Sequence, residues 1–359
     1  MARALRLARR GRGQVAPNPM VGCVLVRGEA TVGEGWHRAY GGPHAEVEAL
    51  GAAGGRARGA TAYVTLEPCN HWGKTPPCVD ALLAAGVARV VAAVRDPLPV
   101  AAGGAERLRR SGVEVEFGVL GDEAAELNAP FLFAATGAAR PWVTLKLALS
   151  LDGAVADHTR GPGWLTGAES RRAVHRLRAG HDAVAVGIGT ALADDPALTV
   201  RDVRAPRIPP LRVVFDRAAR LPLGSALVRT AREVPVAVVC APDAPPNRTR
   251  ALEAAGVRIV AAATLDAGCV ALRRDHGVRA LFAEGGARLS GALWAADLVD
   301  RLVTFQAPVV LGAGSVRAFE GAPAERAAAA RRLPVVRARW YGGDRMTVYG
   351  VHLVPGAAA

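Results

Sequence analysis

Short runs of β-branched and aliphatic residues alternate with longer Ala/Leu-rich stretches along the whole chain, the pattern of an α/β protein built on a mainly parallel sheet. In the first half, residues 21–26, 62–66, 89–94 and 113–119 read as strands. Residues 45–54 and 78–85 read as helices, the second closing at Gly86 as helix C-termini commonly do. A small-residue stretch ending in Pro141, residues 134–141, is the best linker and predicts domains at 1–138 and 139–359. Beyond it, strands are predicted at 142–149, 183–186, 212–215, 235–239, 258–261, 279–283 and 302–310, with an Ala/Arg-biased surface helix at 324–332. No repeat of solenoid period is present.

Length and composition narrow the class. A chain of 359 residues with 51% hydrophobic content is long enough for two cores. No apolar run approaches the ~18 uncharged residues of a membrane span. The first 13 residues carry charges throughout in place of a signal-peptide core, so a cytoplasmic protein is expected. The net charge of +13 comes from arginines spread along the chain, without the clustered basic stripe and interleaved aromatics of a nucleic-acid binder. An acidic small molecule such as a phosphate ester suits that balance. Five cysteines, an odd number, in a chain without an export signal point to metal binding or burial and away from a disulfide framework. Cys23, Cys240 and Cys269 lie in apolar, strand-like segments and are expected to be buried.

The chemistry concentrates in His44-Ala45-Glu46, Pro68-Cys69 and Cys78, which match the H-x-E and P-C elements of the zinc deaminase signature. His44 and Glu46 fall at a loop-to-helix junction, where one side chain ligates metal and the other reaches the water beside it. Cys69 follows a strand and Cys78 opens a helix, whose dipole and free N–H groups favour thiolate. One imidazole and two thiolates leave a fourth tetrahedral position open, as in a catalytic and not a structural zinc site. Zinc lowers the pKa of water in that position to about 7, and Glu46 would carry its proton to the ring and the departing ammonia. Eight residues separate the cysteines, where the generic signature has two. His71 and Lys74 on that insertion are suited to a ring carbonyl and a phosphate.

Together, 16–22 (APNPMVG), 43–47 (PHAEV), 65–69 (TLEPC) and 75–78 (TPPC) resemble the bifunctional riboflavin-biosynthesis deaminase/reductase family, in which the long cysteine spacing is the rule. The resemblance spans nearly the whole chain. It implies a cytidine-deaminase-like three-layer α/β/α domain followed by a dihydrofolate-reductase-like α/β domain. It further implies zinc on His44, Cys69 and Cys78, proton transfer by Glu46, and contacts from Asn18, His37, His71 and Lys74 to 2,5-diamino-6-(5-phosphoribosylamino)pyrimidin-4(3H)-one. Trp72 stands where the family often has His, and Leu98 where it usually has Asn.

The second half is less explicit by itself. Residues 283–291 read as a strand, a Gly285-Gly286 pair and a helix. Glycines let backbone approach a ligand and a helix start favours phosphate, but the G-x-G-x-x-G fingerprint is absent and an ordinary turn fits as well. Gly187-Ile188-Gly189-Thr190 is a weaker candidate of the same kind. Asp194, in a turn-prone Asp-Asp-Pro, reads alone as a capping or turn residue. The resemblance continues through 145–153, 164–166 and 190–201 and implies an NADPH-dependent reductase that delivers hydride to C1 of the ribose, giving the ribitylamino chain. Ala148, Trp164, Thr190, Asp194, Gly286, Ala287, Arg288, Leu289, Ser290, Gly291 and Ala292 would hold the cofactor. Arg178, Leu198, Arg201 and Glu284 would hold the substrate, the two arginines as planar forks on its phosphate. Pro162 and Arg217 depart from the family's polar residue and serine.

The implied partners are thus phosphorylated aminopyrimidines, with neither nucleic acid nor membrane, and a homo-oligomer is compatible with the chain. The alternative is a monofunctional zinc deaminase of a nucleoside or nucleic-acid base whose C-terminal domain is inactive.

Overall fold

The computed structural model describes residues 1–159, 163–352 and 354. They form two compact units, the first Met1–Ala138 and the second beginning at Ala139. The first unit runs α1 (Ala2–Ala8), β1 (Gly22–Arg27), β2 (Ala30–Trp36), α2 (Ala45–Ala53), β3 (Thr61–Val64), α3 (Cys78–Ala84), β4 (Arg89–Ala92), α4 (Gly104–Arg110), β5 (Glu114–Phe117), α5 (Gly121–Leu127) and α6 (Ala129–Ala135). Its five strands are ordered β2-β1-β3-β4-β5. Pairing is antiparallel across β2-β1-β3 and parallel across β3-β4-β5, so this sheet is mixed where a mainly parallel one was expected. β2 escapes the sequence reading because Gly33 and Gly35 break its apolar alternation. The available signal is the two-residue turn Gly28-Glu29, with Gly28 at φ 59°, that closes a hairpin. Side chains alternate across β1: Cys23 and Leu25 join the core under α2, α3 and α4, while Val24 packs under α1. Helices thus cover both faces.

The second unit continues with β6 (Trp142–Leu149), β7 (Ala154–Ala156), α7 (Ala168–Arg178), β8 (Ala183–Gly187), α8 (Ile188–Asp194), β9 (Leu211–Phe215), α9 (Ala226–Arg229), β10 (Val236–Cys240), α10 (Pro246–Ala254), β11 (Arg258–Ala261), α11 (Leu265–His276), β12 (Ala280–Ala283), α12 (Ala287–Ala295), β13 (Arg301–Gln306), β14 (Val316–Arg317), β15 (Val335–Tyr341) and β16 (Asp344–Gly350). Nine strands form the sheet β11-β10-β9-β8-β12-β6-β13-β16-β15. Pairing is parallel from β11 to β13 and antiparallel across the β15–β16 hairpin, which turns at Gly342-Gly343. The parallel strands bury both faces, which is why they read as unbroken apolar runs. Val213 and Phe215 of β9 face α11 and α12, and Val214 faces α7 to α10.

Three sequence expectations change. Residues 324–332 form turns and extended chain, all exposed. Ala and Arg favour helix, but a short segment with no apolar stripe to bury gains too little to order itself. Cys269 lies in α11 and not in a strand, although it is buried as expected, like Cys23 and Cys240. β13 ends at Gln306, because Pro308 cannot continue the ladder.

Asp300 anchors the second unit. Its carboxylate is fully buried and accepts from Arg140 Nη1 at 2.6 Å and Nη2 at 2.8 Å, from Val143 N at 2.7 Å and from His352 Nδ1 at 3.0 Å. Asp300→Ala removes the buried acceptor shared by Arg140, Val143 N and His352 and should cost about 3–5 kcal/mol, read as a lower urea midpoint for this unit. A loss of about 1 kcal/mol or less, the size of an exposed ion pair, would refute this.

Candidate metal centre and reductase cavity

Two glycines bring the first site together. A Cβ on Gly35 would lie 2.4 Å from both Ala45 O and Ala49 N, so β2 packs directly on α2. That fixes the first turn of α2, with His44 as its N-cap and Glu46 inside it. A Cβ on Gly104 would lie 1.9 Å from Pro68 O, so α4 backs directly onto the segment carrying Cys69. Glu67, buried and missed in the sequence reading, locks that segment: its carboxylate accepts from Ala105 N at 3.0 Å and Asp96 N at 3.2 Å. Its signal was a charged residue directly between an apolar strand and Pro68. Leu98 sits in a turn held by its own N–H donating to Asp96 Oδ1 at 2.9 Å, so the loop conformation does not depend on the Leu98 side chain.

Donor atoms of His44, Cys69 and Cys78 all lie within 4.8 Å of one another. His44 Nδ1 is 3.2 Å from Cys78 Sγ and 3.5 Å from Cys69 Sγ. Zinc bonds of about 2.0 Å to nitrogen and 2.3 Å to sulfur at tetrahedral angles separate such donors by roughly 3.5 Å, so the cluster fits the ion. His44 Nε2, on the far side of the ring, faces Thr75 Oγ1 at 3.5 Å, an outer partner that orients the imidazole. The Cys69 thiol is held low, chiefly by a hydrogen bond with Cys78 and also by His44, and Cys78 is pushed up correspondingly. Glu46 is 3% exposed. Burial, then the neighbouring Cys69, pushes its carboxyl up to about 7.

The four expected deaminase-substrate residues fall in two places. His37 Nδ1 donates to Pro43 O at 3.0 Å, leaving Nε2 as acceptor toward Asn18 Nδ2 at 3.4 Å. The His37 ring meets that of His44 edge-on at 5.4 Å, so Asn18 and His37 form one wall of the site. His71 and Lys74 lie on the segment between β3 and α3. Lys74 Nζ stands 4.1 Å over the Tyr40 ring, and His71 Nδ1 is buried without a partner among the described residues. Trp72 is 74% exposed.

In the second unit, a cavity of about 1370 Å³ opens along the C-terminal ends of the parallel strands, where open α/β sheets bind ligands. Ala148, Trp164, Thr190 and Asp194 line it, as do Gly286, Ala287, Arg288, Leu289 and Ala292. Ser290 and Gly291 do not: they lie on the inner face of α12, where Ser290 Oγ donates to Gly286 O at 3.1 Å and Gly291 packs on the Glu320 backbone. A Cβ on Gly286 would meet Thr190 Oγ1 at 2.8 Å and one on Gly285 would meet Ser290 Oγ at 2.5 Å, so any larger residue would displace these hydroxyls from the turn. Its fit to a nucleotide phosphate is good. Arg178, Leu198, Arg201 and Glu284 line the same cavity, as does Arg217, while Pro162 lies outside the described residues.

Lys146 is a cavity residue that sequence reasoning passed over. A lone lysine within the apolar strand Trp142–Leu149 was the signal. Burial lowers its pKa, with Glu284 opposing and Arg178 adding. Burial alone would raise Glu284, but the Arg178 guanidinium and then Lys146 outweigh it and hold the carboxyl below its ordinary value. Arg178 forks onto both oxygens of Glu284.

The class these features define is a zinc-dependent deaminase joined to an NADPH-dependent reductase. The family model for the cytidine and deoxycytidylate deaminase zinc-binding region matches residues 1–94, and that for the RibD C-terminal domain matches residues 141–344. The chain belongs to the RibD family of riboflavin-biosynthesis proteins. It is 42% identical to riboflavin biosynthesis protein RibD of Aquifex aeolicus over 316 residues, 88% of this chain and 87% of that one. To the Escherichia coli protein it is 43% identical over 329 residues, 87% of this chain and 88% of that one. Among solved structures, Acinetobacter baumannii RibD superposes with a TM-score of 0.81 at 38% identity, covering 97% of each chain. A Thermotoga maritima diaminohydroxyphosphoribosylaminopyrimidine deaminase/5-amino-6-(5-phosphoribosylamino)uracil reductase gives 0.82 at 33%, covering 98% of this chain and 97% of that one.

The five cysteines should separate by reactivity. Cys23 and Cys269 are buried, their thiols pushed up by burial, Cys269 to about 12. Iodoacetamide on native, chelator-treated protein should therefore modify Cys69 first, with added zinc protecting Cys69 and Cys78, as read by peptide mass mapping. Equal labelling of Cys69 with and without zinc would count against the assigned ligand set.

Proposed function

We propose that the chain carries out two successive steps of riboflavin biosynthesis: hydrolytic deamination of 2,5-diamino-6-(5-phosphoribosylamino)pyrimidin-4(3H)-one by residues 1–138, then NADPH-dependent reduction of the ribosyl chain of 5-amino-6-(5-phosphoribosylamino)uracil by the unit that follows. The observation that carries the reading is Glu46, a buried carboxyl with its pKa near neutrality beside the His44, Cys69 and Cys78 donors. A passive metal site has no use for such a group.

His44, Cys69 and Cys78 would hold zinc, which supplies Lewis acidity that brings the pKa of water toward about 7. Glu46 takes one proton from water and gives it to the ring nitrogen as the C–O bond forms. It then takes the second from the hydroxyl now on the ring carbon and gives it to the amine as the C–N bond breaks. A carboxyl tuned near neutrality is suited to both transfers. Asn18 and His37 orient the pyrimidine, and His71 and Lys74 meet its carbonyl and phosphate from the intervening loop.

In the second unit the Gly286 turn, Thr190, Asp194, Trp164 and Ala148 would hold NADPH, which supplies the hydride. Opening the ribose breaks the C1–O bond, and the ring oxygen leaves with the electron pair and needs a proton. Lys146, held beside Glu284, is the acid in the cavity wall suited to give it. Leu198 packs the pyrimidine, and Arg201 faces the phosphate. No helix among the described residues is long and apolar enough to cross a membrane. Small phosphorylated substrates and NADPH support a cytoplasmic location. A monofunctional deaminase is disfavoured, since Lys146, Arg178 and Glu284 would have no reason to form a charged cluster in the cavity.

The test follows ammonia release and NADPH absorbance separately with the diaminopyrimidine phosphate. Both should respond, and ammonia without NADPH oxidation would favour the monofunctional alternative. Glu46→Gln should keep its zinc, measured by elemental analysis, and lose deamination by about 10²–10⁴-fold. Lys146→Met should lose NADPH oxidation by about 10²-fold or more while ammonia release stays at the wild-type rate.

A further inference from the structure

His175 is the one histidine in the reductase cavity wall, and none of the roles assigned above uses it. It lies on α7 one turn before Arg178, at i and i+3, so the two side chains share a face. The residue is 8% exposed. Its Nδ1 accepts the backbone N–H of Arg201 at 3.2 Å. An imidazole nitrogen that accepts carries no proton, so the neutral ring bears its hydrogen on Nε2. Burial, then the nearby Arg178 and Arg201, lowers the His175 pKa and keeps it in this neutral form. Nε2–H has no acceptor among the described residues, an open donor on a side chain more than nine-tenths buried.

The surrounding groups say what that donor meets. Arg178 commits Nε and Nη2 to Glu284 and Nη1 to Thr199 O at 2.8 Å, so its fork is engaged and it contributes charge more than geometry. The Arg201 guanidinium makes no ion pair among the described residues. Arg201 itself sits in a stretch where Leu198, at φ 51°, and Asp202, at φ 59°, are both left-handed, a conformation that needs support from its surroundings. The His175–Arg201 hydrogen bond supplies such support. An open N–H with two guanidinium groups nearby, on a chain braced to hold it, suits a dianionic oxygen cluster.

We propose that His175 is a phosphate-binding residue of the reductase site, its Nε2–H donating to a phosphate oxygen of the phosphoribosyl substrate while Nδ1 fixes Arg201 beside it. The inference rests on the reductase reading above and adds a donor beside Arg201, with Arg178 contributing charge. It also assigns the two ring nitrogens different tasks, which two substitutions separate. Asparagine places an oxygen near the Nδ1 position and keeps the Arg201 acceptor but lacks the outer donor. Glutamine reaches the Nε2 position and keeps the donor but loses the brace.

Inorganic phosphate is titrated by calorimetry into the full chain, and KM and kcat for NADPH oxidation are measured beside it. His175→Asn should weaken phosphate binding and raise KM by about tenfold or more with kcat little changed, and His175→Gln should stay within about threefold of wild type. The reverse ranking, Gln impaired and Asn unharmed, would mean that the ring only braces Arg201 and would overturn the proposal. So would two variants that both bind phosphate as the wild type does. Ammonia release comes from the other unit, so NADPH binding followed by calorimetry on the same preparations reports that the reductase unit of each variant is folded. If the wild type bound phosphate but oxidised no NADPH, the reductase reading would fail while the His175 assignment survived.

Discussion

Desolvation is the constraint on which the first unit depends. Two sulfurs and a carboxyl are removed from water beside a half-buried imidazole. Buried charge is tolerated only when paired or bound to metal. The cluster therefore needs a cation, and the same burial that creates the need raises the Glu46 carboxyl. The glycines at 35 and 104 serve the cluster by letting a strand and a helix approach to distances that no side chain would allow.

The second unit meets a different problem with the same means. Its parallel strands are covered on both faces, so the ligand crevice lies at their C-terminal ends. There Lys146 and Arg178 flank Glu284, whose carboxylate offsets the burial of Lys146 while the two cations together hold it ionised. Binding a doubly charged substrate needs donors beyond these three, because the Arg178 fork is occupied by Glu284. Arg201 and His175 occupy the adjoining wall, where the backbone carries left-handed residues that only tertiary support can hold. The departures from the family pattern sit differently: Leu98 is held through its backbone, while Arg217 points into the cavity itself.

What could be read from the chain alone is set by the range of each interaction. Metal ligands and the carboxyl beside them sit within short motifs whose residue types have almost no other shared purpose, so His44, Glu46, Cys69 and Cys78 were legible. Buried parallel strands announce themselves as apolar runs, and Gly285-Gly286 marked a close approach. The hairpin strands β2, β15 and β16 were not legible: their patterns are broken or exposed, and they are specified as much by hairpin turns and neighbours as by their own residues. The Ala/Arg segment after residue 323 failed in the opposite sense, having the propensity for helix but no surface to pack against.

Tertiary structure decided matters that no local pattern encodes. Lys146 looks like an interruption in a strand until β6 and β12 lie side by side and Glu284 comes alongside it. Glu67 looks like a loop carboxylate until α4 and the Asp96 turn each lend it an N–H. Ser290 and Gly291 follow the glycine turn in sequence but lie on the inner face of its helix, since a helix rotates each residue by about 100° and carries part of any run away from the cavity. Sequence determined which chemistry was available, because donor atoms are properties of residues. The fold alone determined which donors face one another, because distance across the sheet depends on strand order and close packing between elements far apart in the chain.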